Sequence, residues 1–275
     1  MTTRHAETAA SSPWIRRFHP RPGAAVRLVC LPHAGGSASF FHRLSGDLPP
    51  DIEALAIQYP GRQDRYVEPP LRSIGELADG AYEALVPWAD LPLAFLGHSM
   101  GSAVAYEVVR RFERRKGLVA TAFFASGHGA PTVNRSESVH LRDDAGVIAE
   151  VRGLGGPGAE AFDEPDLVSL LLPAVRADYR AIETYMEEPT PVPAPADRLR
   201  CPLVALVGDA DPKVTPDEAR AWAEMTRGAF SLHVFPGDHF YLTPEHDRVV
   251  STVAGSLLEL LRTDGVDGAA APDLV

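Results

Sequence analysis

Short apolar runs alternate along the chain with longer stretches in which apolar positions recur every three or four residues. Ala24–Leu31 (AAVRLVCL) and Ile52–Tyr59 (IEALAIQY) are strand-like runs bounded by Pro and Gly. Leu93–Leu96, Val119–Ala125, Leu203–Val207 and Phe230–Phe235 are further such runs. Runs this apolar suit strands buried on both faces of a parallel sheet. Helix-period stretches fall between them, at about 74–86, 100–115, 216–226 and 243–262. Strand–helix alternation at this spacing predicts βαβ units. The expected class is therefore α/β, with one mostly parallel sheet and helices on both faces.

One segment breaks the alternation. From Asn134 to about Arg198 there is no strand pattern. Asp143–Val151, Glu164–Leu172 and Pro173–Met186 read as helices, with a glycine-rich gap (GLGGPG, 153–158) after the first. A proline-rich run up to Pro202 then forms a stiff, extended return. So long an insertion between two strands predicts a helical lid. The expected organisation is a core of residues 14–133 and 199–262, a lid of 134–198, and flexible tails at 1–13 and 263–275 that lack apolar periodicity.

Composition narrows the function. The 275 residues are 45% hydrophobic and 23% charged, as in ordinary globular chains, and no uncharged apolar run approaches bilayer-spanning length. A net charge of −11 argues against nucleic acid or an anionic membrane as main partner, since both call for a basic face. Two cysteines, Cys30 and Cys201, supply neither a disulfide framework nor a zinc cluster. A reducing, cytoplasmic compartment is expected, and the polar first residues lack the apolar core of a secretory signal.

The chemistry centres on Leu93–Gly101 (LAFLGHSMG), which holds a G-x-S-x-G pentapeptide from Gly97 to Gly101. Alone the pattern is weak. Here an apolar strand runs straight into it and an Ala/Val-rich helix follows, which is the context of a nucleophile elbow with Ser99 at the bend. Such a serine needs a base and an orienting acid later in the chain. After the 203–207 run comes Gly208-Asp209-Ala210-Asp211-Pro212, where Asp211 is the first choice of acid and Asp209 the alternative, a turn or capping residue otherwise. After the 230–235 run comes Pro236-Gly237-Asp238-His239-Phe240, so His239 is the expected base. His233, inside the run, His246, at a helix start, and His98, inside the elbow, read as structural. Two backbone N–H groups should bind the oxyanion: that of Met100, and one from Leu31–Ser37 (LPHAGGS), where Ala34 is favoured over Gly35. This set needs no metal and no organic cofactor. It fits ester, thioester or amide substrates alike.

Several blocks together resemble a known family, the type II thioesterases of polyketide and nonribosomal-peptide biosynthesis: CLPHAGGSASFF (30–41), YPGRQDR (59–65), LGHSMGSAVAYE (96–107), GDADPKVTPDEARAW (208–222) and FPGDHFYL (235–242). They lie in the family's order from about Trp14 to Leu261. The resemblance implies an α/β-hydrolase fold, with Ser99, Asp211 and His239 at the triad positions and Ala34 and Met100 at the oxyanion positions. It also implies a substrate, acyl groups on the phosphopantetheine arm of acyl or peptidyl carrier proteins, and an editing role. A monomer is expected. One departure is Asp238, where the family often has Gly. A solvent-facing turn residue is expected there.

Leu154, Phe162, Leu167, Leu170, Leu171, Val175 and Tyr179 are acyl-pocket candidates in the lid, with Phe162, Leu170, Leu171 and Tyr179 put forward. An acidic carrier calls for a basic rim. Arg62 and Arg65 are placed for it, although internal ion pairs with Asp64 or Glu68 are favoured over docking. The run Arg110–Lys116 reads instead as a helix end. A small-molecule serine esterase or an acyltransferase on the same fold is the alternative function.

Overall fold

The computed structural model describes residues 12–133, 135, 137–187 and 191–267. Its strands are β1 (Ile15–Arg16), β2 (Val26–Leu31), β3 (Ile52–Ile57), β4 (Leu93–His98), β5 (Phe123–Ser126), β6 (Leu203–Gly208) and β7 (Phe230–Phe235). They form one sheet in the order β1-β3-β2-β4-β5-β6-β7. Every pairing is parallel except β1 with β3. The α-helices are α1 (His42–Asp47), α2 (Ile74–Leu85), α3 (Met100–Lys116), α4 (Asp144–Leu154), α5 (Pro165–Glu187), α6 (Pro216–Arg220) and α7 (His246–Asp267).

Alternation along the strands builds two separate core layers. Val29 and Leu31 of β2 pack with Leu77, Ala81 and Tyr82 of α2 and Val104, Val108 and Phe112 of α3. Leu28 and Cys30 face the other way, with Leu44 of α1 and Val249, Val253 and Leu257 of α7. Because β2 to β6 are covered on both faces, their sequences are largely apolar, broken by Arg27 in β2 and Glu53 in β3, which pair with each other. β7 closes the sheet edge and is only partly buried.

Three differences from the sequence expectation have local causes. Glu164–Leu172 and Pro173–Met186 are one helix, α5, which runs through Pro173. Loss of one N–H at Pro173 is outweighed by the continuous apolar face on either side, Leu172, Val175 and Tyr179. The helical pattern at 216–226 splits into the short α6 and a tighter 3₁₀ stretch, Ala221–Met225. Finally, α7 continues through Thr263 to Asp267, inside the expected tail. Residues 1–11 and 268–275, the rest of both expected tails, lie outside the described residues. Among the described residues no helix is long and apolar enough to cross a membrane.

Between β5 and β6 the chain forms α4 and α5. Val139, Val147, Phe162, Val175 and Tyr179 make a third apolar cluster there, which packs onto Ala34 at the C-terminal edge of the sheet. The loops after β2, β4, β5, β6 and β7 all open onto that same edge.

Candidate active site

Ser99 joins β4 to α3 with φ 54° and ψ −125°, a backbone region that non-glycine residues rarely enter. The flanking glycines make this bend possible. A Cβ on Gly97 would lie 2.2 Å from the carbonyl oxygen of Gly101, and one on Gly101 would lie 2.1 Å from that of Leu31. Strand, helix and the loop after β2 therefore meet backbone to backbone. The amide of Ser99 donates to Ser126 O (2.7 Å), which ties the bend to β5. Strain of about 1–3 kcal/mol at such a residue persists because its surroundings fix it.

The later loops complete the site. His239 Nε2 lies 2.9 Å from Ser99 Oγ. Its Nδ1 faces both Asp211 carboxylate oxygens, at 2.9 and 3.0 Å. An ionised carboxylate can only accept, so the imidazole proton sits on Nδ1 and Nε2 is free to accept from the hydroxyl. Asp211 and His239 are both buried, and Asp211 Oδ1 also accepts the Lys213 amide (2.7 Å). Asp209 does something different: it is exposed, and its Oδ1 accepts the Gly237 amide (2.9 Å), bracing the histidine loop. Asp238 is exposed and accepts from the amide of Phe240.

Four imidazoles crowd this point. His98 is fully buried beneath His239, their ring centroids 5.2 Å apart. Its Nδ1 pairs with Ser126 Oγ (3.0 Å), which in turn pairs with Tyr241 OH (2.6 Å). His33 packs edge-on against His98, Phe40 and Phe240. Burial holds both of these imidazoles neutral, with His33 pushed down to about 3 and His98 well below the ordinary histidine range. His128 is held down to about 4, again mainly by burial. His233 stays in β7, and His246 pairs with Asp47 (2.8 Å), away from Ser99.

Ala34 and Met100 line the same pocket as Ser99 and His239. Among the described residues neither N–H has an acceptor. Gly35, the alternative donor, is already used: its amide donates to Asp178 Oδ2 at 2.8 Å. A second, larger space lies across the His33–Ala34 loop, against Phe40, Phe162, Leu171, Val175, Tyr179 and Phe240. Tyr179 and Leu154 touch both spaces.

Two sequence expectations need correcting. Leu170 lines neither space and is 47% exposed, as is Leu167 at 41%. At 100° per residue, Leu170 lies about 200° around α5 from Leu172, which faces inward. Arg62 is no basic rim, and its partner is neither Asp64 nor Glu68. It is 3% exposed and forms a bidentate pair with Asp178 of α5, at 2.6 and 2.9 Å. Arg65 does pair with Glu68, and Asp64 pairs with Arg16. The role of Asp178 had no signal in sequence, because the contact joins residues 116 apart. Among the described residues, no group of His, Cys, Asp and Glu is arranged to hold a metal ion.

Comparison with known proteins follows the same lines. A model of the thioesterase domain family matches residues 26–257. The thioesterase PikA5 of Streptomyces venezuelae is 46% identical over 246 residues, which is 89% of this chain and 85% of that protein. The solved structure of the type II thioesterase BorB, from the borrelidin biosynthetic cluster, is 46% identical and superposes with a TM-score of 0.81, covering 90% of this chain and 98% of that one. RedJ, a thioesterase from the prodiginine pathway of Streptomyces coelicolor, is 31% identical with a TM-score of 0.77, covering 93% and 96%.

Proposed function

The chain belongs to the thioesterase family, and from that premise we propose that it hydrolyses acyl thioesters from the phosphopantetheine arm of carrier proteins serving a polyketide or nonribosomal-peptide synthase. The observation that carries the reading is the unbroken chain Asp211–His239–Ser99, with the serine held at a strained strand–helix bend. The similarity to a type II thioesterase of the borrelidin biosynthetic cluster and to a thioesterase of the prodiginine pathway supports the substrate class.

In this reading His239 Nε2 takes the Ser99 proton as Oγ attacks the thioester carbonyl. The negative charge on the carbonyl oxygen is met by the free N–H groups of Ala34 and Met100, at the N-terminus of α3. Asp211 stabilises the imidazolium. The C–S bond breaks, and the pantetheine sulfur leaves with the proton from His239. Water, deprotonated by His239, then attacks the acyl-Ser99 ester and releases the acid. No step calls on a metal or cofactor. A thiol leaves more readily than an amine because its pKa is near 8.5, so thioesters suit this machinery.

The segment from β5 to β6 is the proposed lid. Phe162, Leu171 and Tyr179 are the acyl- or pantetheine-contacting residues kept from the sequence reading, without Leu170. The protein acts in this proposal as a monomer in the cytoplasm.

The test compares one acyl group on three leaving groups: a holo carrier protein, free pantetheine and a simple alcohol. Preference in kcat/KM for the carrier-bound thioester is the expected result. Equal or better turnover of the alcohol ester would leave a general esterase. Ser99→Ala serves as the control, with turnover lost and the fold kept.

A further inference from the structure

Asp178 sits in the middle of the lid helix α5 and is fully buried, yet its bonds outside the helix all go to the core. Oδ2 accepts the Gly35 amide (2.8 Å) and Arg62 Nη1 (2.6 Å), and Oδ1 accepts Arg62 Nη2 (2.9 Å). Arg62 in turn donates to Gly36 O (3.0 Å). One turn earlier on α5, Val175 packs onto Gly35 so closely that a Cβ there would come within 2.8 Å of its methyl. The helix therefore holds the loop by both a charge and an apolar contact.

That loop is a tight turn. The Gly36 amide donates to His33 O (2.9 Å), and Gly35 has φ +75°, as a type II turn requires at its third residue. The central peptide, between Ala34 and Gly35, can in principle face either way. The carboxylate of Asp178 fixes it by taking the Gly35 N–H. Ala34, whose own N–H is free, is thereby held between two pinned groups, the His33 carbonyl and the Gly35 amide.

Stability does not explain this choice of residues. Burying both charges costs several kcal/mol each, and a well-packed apolar pair of similar volume is often as stable or more so. An apolar pair would anchor α5 to the core, but it could not accept the Gly35 amide. We infer that Asp178 is a positioning residue for the oxyanion site. The lid helix must be seated for Ala34 to present its N–H, so seating the lid and completing the oxyanion site are one event. Arg62, bonded to both oxygens, aims the carboxylate. This inference rests on the role proposed above for Ala34.

Two uncharged double variants of the full chain separate positioning from bulk structure. Arg62→Met/Asp178→Leu removes the acceptor, and Arg62→Met/Asp178→Asn keeps an amide oxygen for Gly35. Each is assayed for kcat and KM on an acyl-pantetheine thioester. Each is also titrated with a trifluoromethyl ketone analogue, which adds to Ser99 and places an oxyanion in the site. The leucine variant should lose about 10- to 100-fold in kcat, the scale of a displaced or missing oxyanion donor. Its affinity for the ketone should fall by the same factor, with KM changed less than about threefold, while the asparagine variant recovers most of both. Should the leucine variant not fold, Arg62→Met/Asp178→Ala gives the same comparison without added bulk. Parent kcat in the variant lacking the acceptor, equal losses in both variants, or a loss confined to KM would overturn the inference. If Ser99→Ala still turned over, the proposed function itself would fall. If Ser99→Ala is inactive and the acceptor-free variant is unimpaired, only the role of Asp178 falls.

Discussion

Gly101 decides how closely the first turn of α3 approaches the loop after β2, and replacing it with alanine is a quantitative test of the site. The added methyl would lie 2.1 Å from Leu31 O and 2.8 Å from Pro32 O, against a floor of 3.0 Å for real Cβ contacts. Both neighbours are backbone, and β2 is held in register on each side by β3 and β4. No side chain can swing away, so helix and loop must part by roughly 1 Å. Met100 stands just before the inserted methyl and Ala34 two residues beyond Pro32, so the gap that opens is the one between the two free N–H groups. A misplacement of about 1 Å costs roughly 100-fold in rate, and overpacking of this kind about 1–3 kcal/mol in stability. Steady-state kcat on an acyl-pantetheine thioester, with thermal unfolding alongside, measures both. Gly153→Ala in α4 is the control, because its methyl meets nothing within 4 Å. It should keep full activity and gain up to about 1 kcal/mol. A Gly101→Ala protein with parent kcat would refute the argument, since the donors would then tolerate a displacement the geometry says they cannot.

Ser99→Gly should be more stable than Ser99→Ala by about 1–2 kcal/mol in urea unfolding, because only glycine relieves φ 54°, and equal midpoints would mean the bend carries no strain. Asp211→Asn should lower kcat by about 10⁴, since an amide no longer enforces the Nδ1–H tautomer, while Asp209→Asn should cost less than tenfold because it only braces Gly237. The reverse order in kcat would exchange their roles. His98 is buried neutral, its proton affinity held by burial well below the ordinary histidine range, so the unfolded chain binds the extra proton and stability falls as pH drops below about 6.5. Its share of that slope is up to about 1.4 kcal/mol per pH unit, and His98→Asn should flatten urea midpoints measured from pH 7 to pH 5 by that share. An unchanged slope would show that His98 is already protonated in the fold.

What was legible in the sequence was local. The bend at Ser99 is encoded within five residues, because Gly97 and Gly101 are the positions where a side chain would strike backbone. The strands showed because burial on both faces leaves little room for polar residues, as in Leu203–Gly208, which is buried throughout. β1 is two residues long and α1 six, too short for any period to register. In sequence Asp211 and Asp209 are set apart only by position in the loop, and the structure places Asp211 against His239 and Asp209 against a turn amide. The partner of Arg62 could not be read at all. Asp64 and Glu68 were near in sequence, whereas Asp178 is brought in only by the packing of α5 on the turn at His33–Gly36.

That long-range pair also bears on how a substrate reaches Ser99. Displacing α5 as a whole would break a bidentate buried ion pair, expose its apolar face at Leu172, Val175 and Tyr179, and free the Gly35 amide. Rehydration of the two charges offsets much of the lost pairing, so the larger cost is exposure of that apolar face, about 1.5–3 kcal/mol for each fully buried side chain. α4 is held more weakly. Among its described side chains only Val147 is fully buried, with Ile148 and Val151 partly so, and its polar ties include the pairs Arg142–Glu150, Arg176–Asp144 and Arg152–Asp163, the bond from Arg152 to Phe162 O (2.8 Å), and Lys213–Glu150, the most enclosed pair. Exposed pairs of this kind are worth about 0–1 kcal/mol each. The chain leaves α4 through Gly155 and Gly158, both at positive φ, and Gly156, Pro157 and Gly158 line the larger space beside the site. Opening at α4 and this glycine-rich turn is therefore cheaper than lifting α5, and it leaves the turn at Ala34 intact. Native-state hydrogen exchange separates the two. Amides of α4 should exchange through openings at least 2 kcal/mol smaller than those of α5 between Ala174 and Glu183. Equal protection in both helices would mean that the segment opens as one body, with the turn at Ala34 released each time.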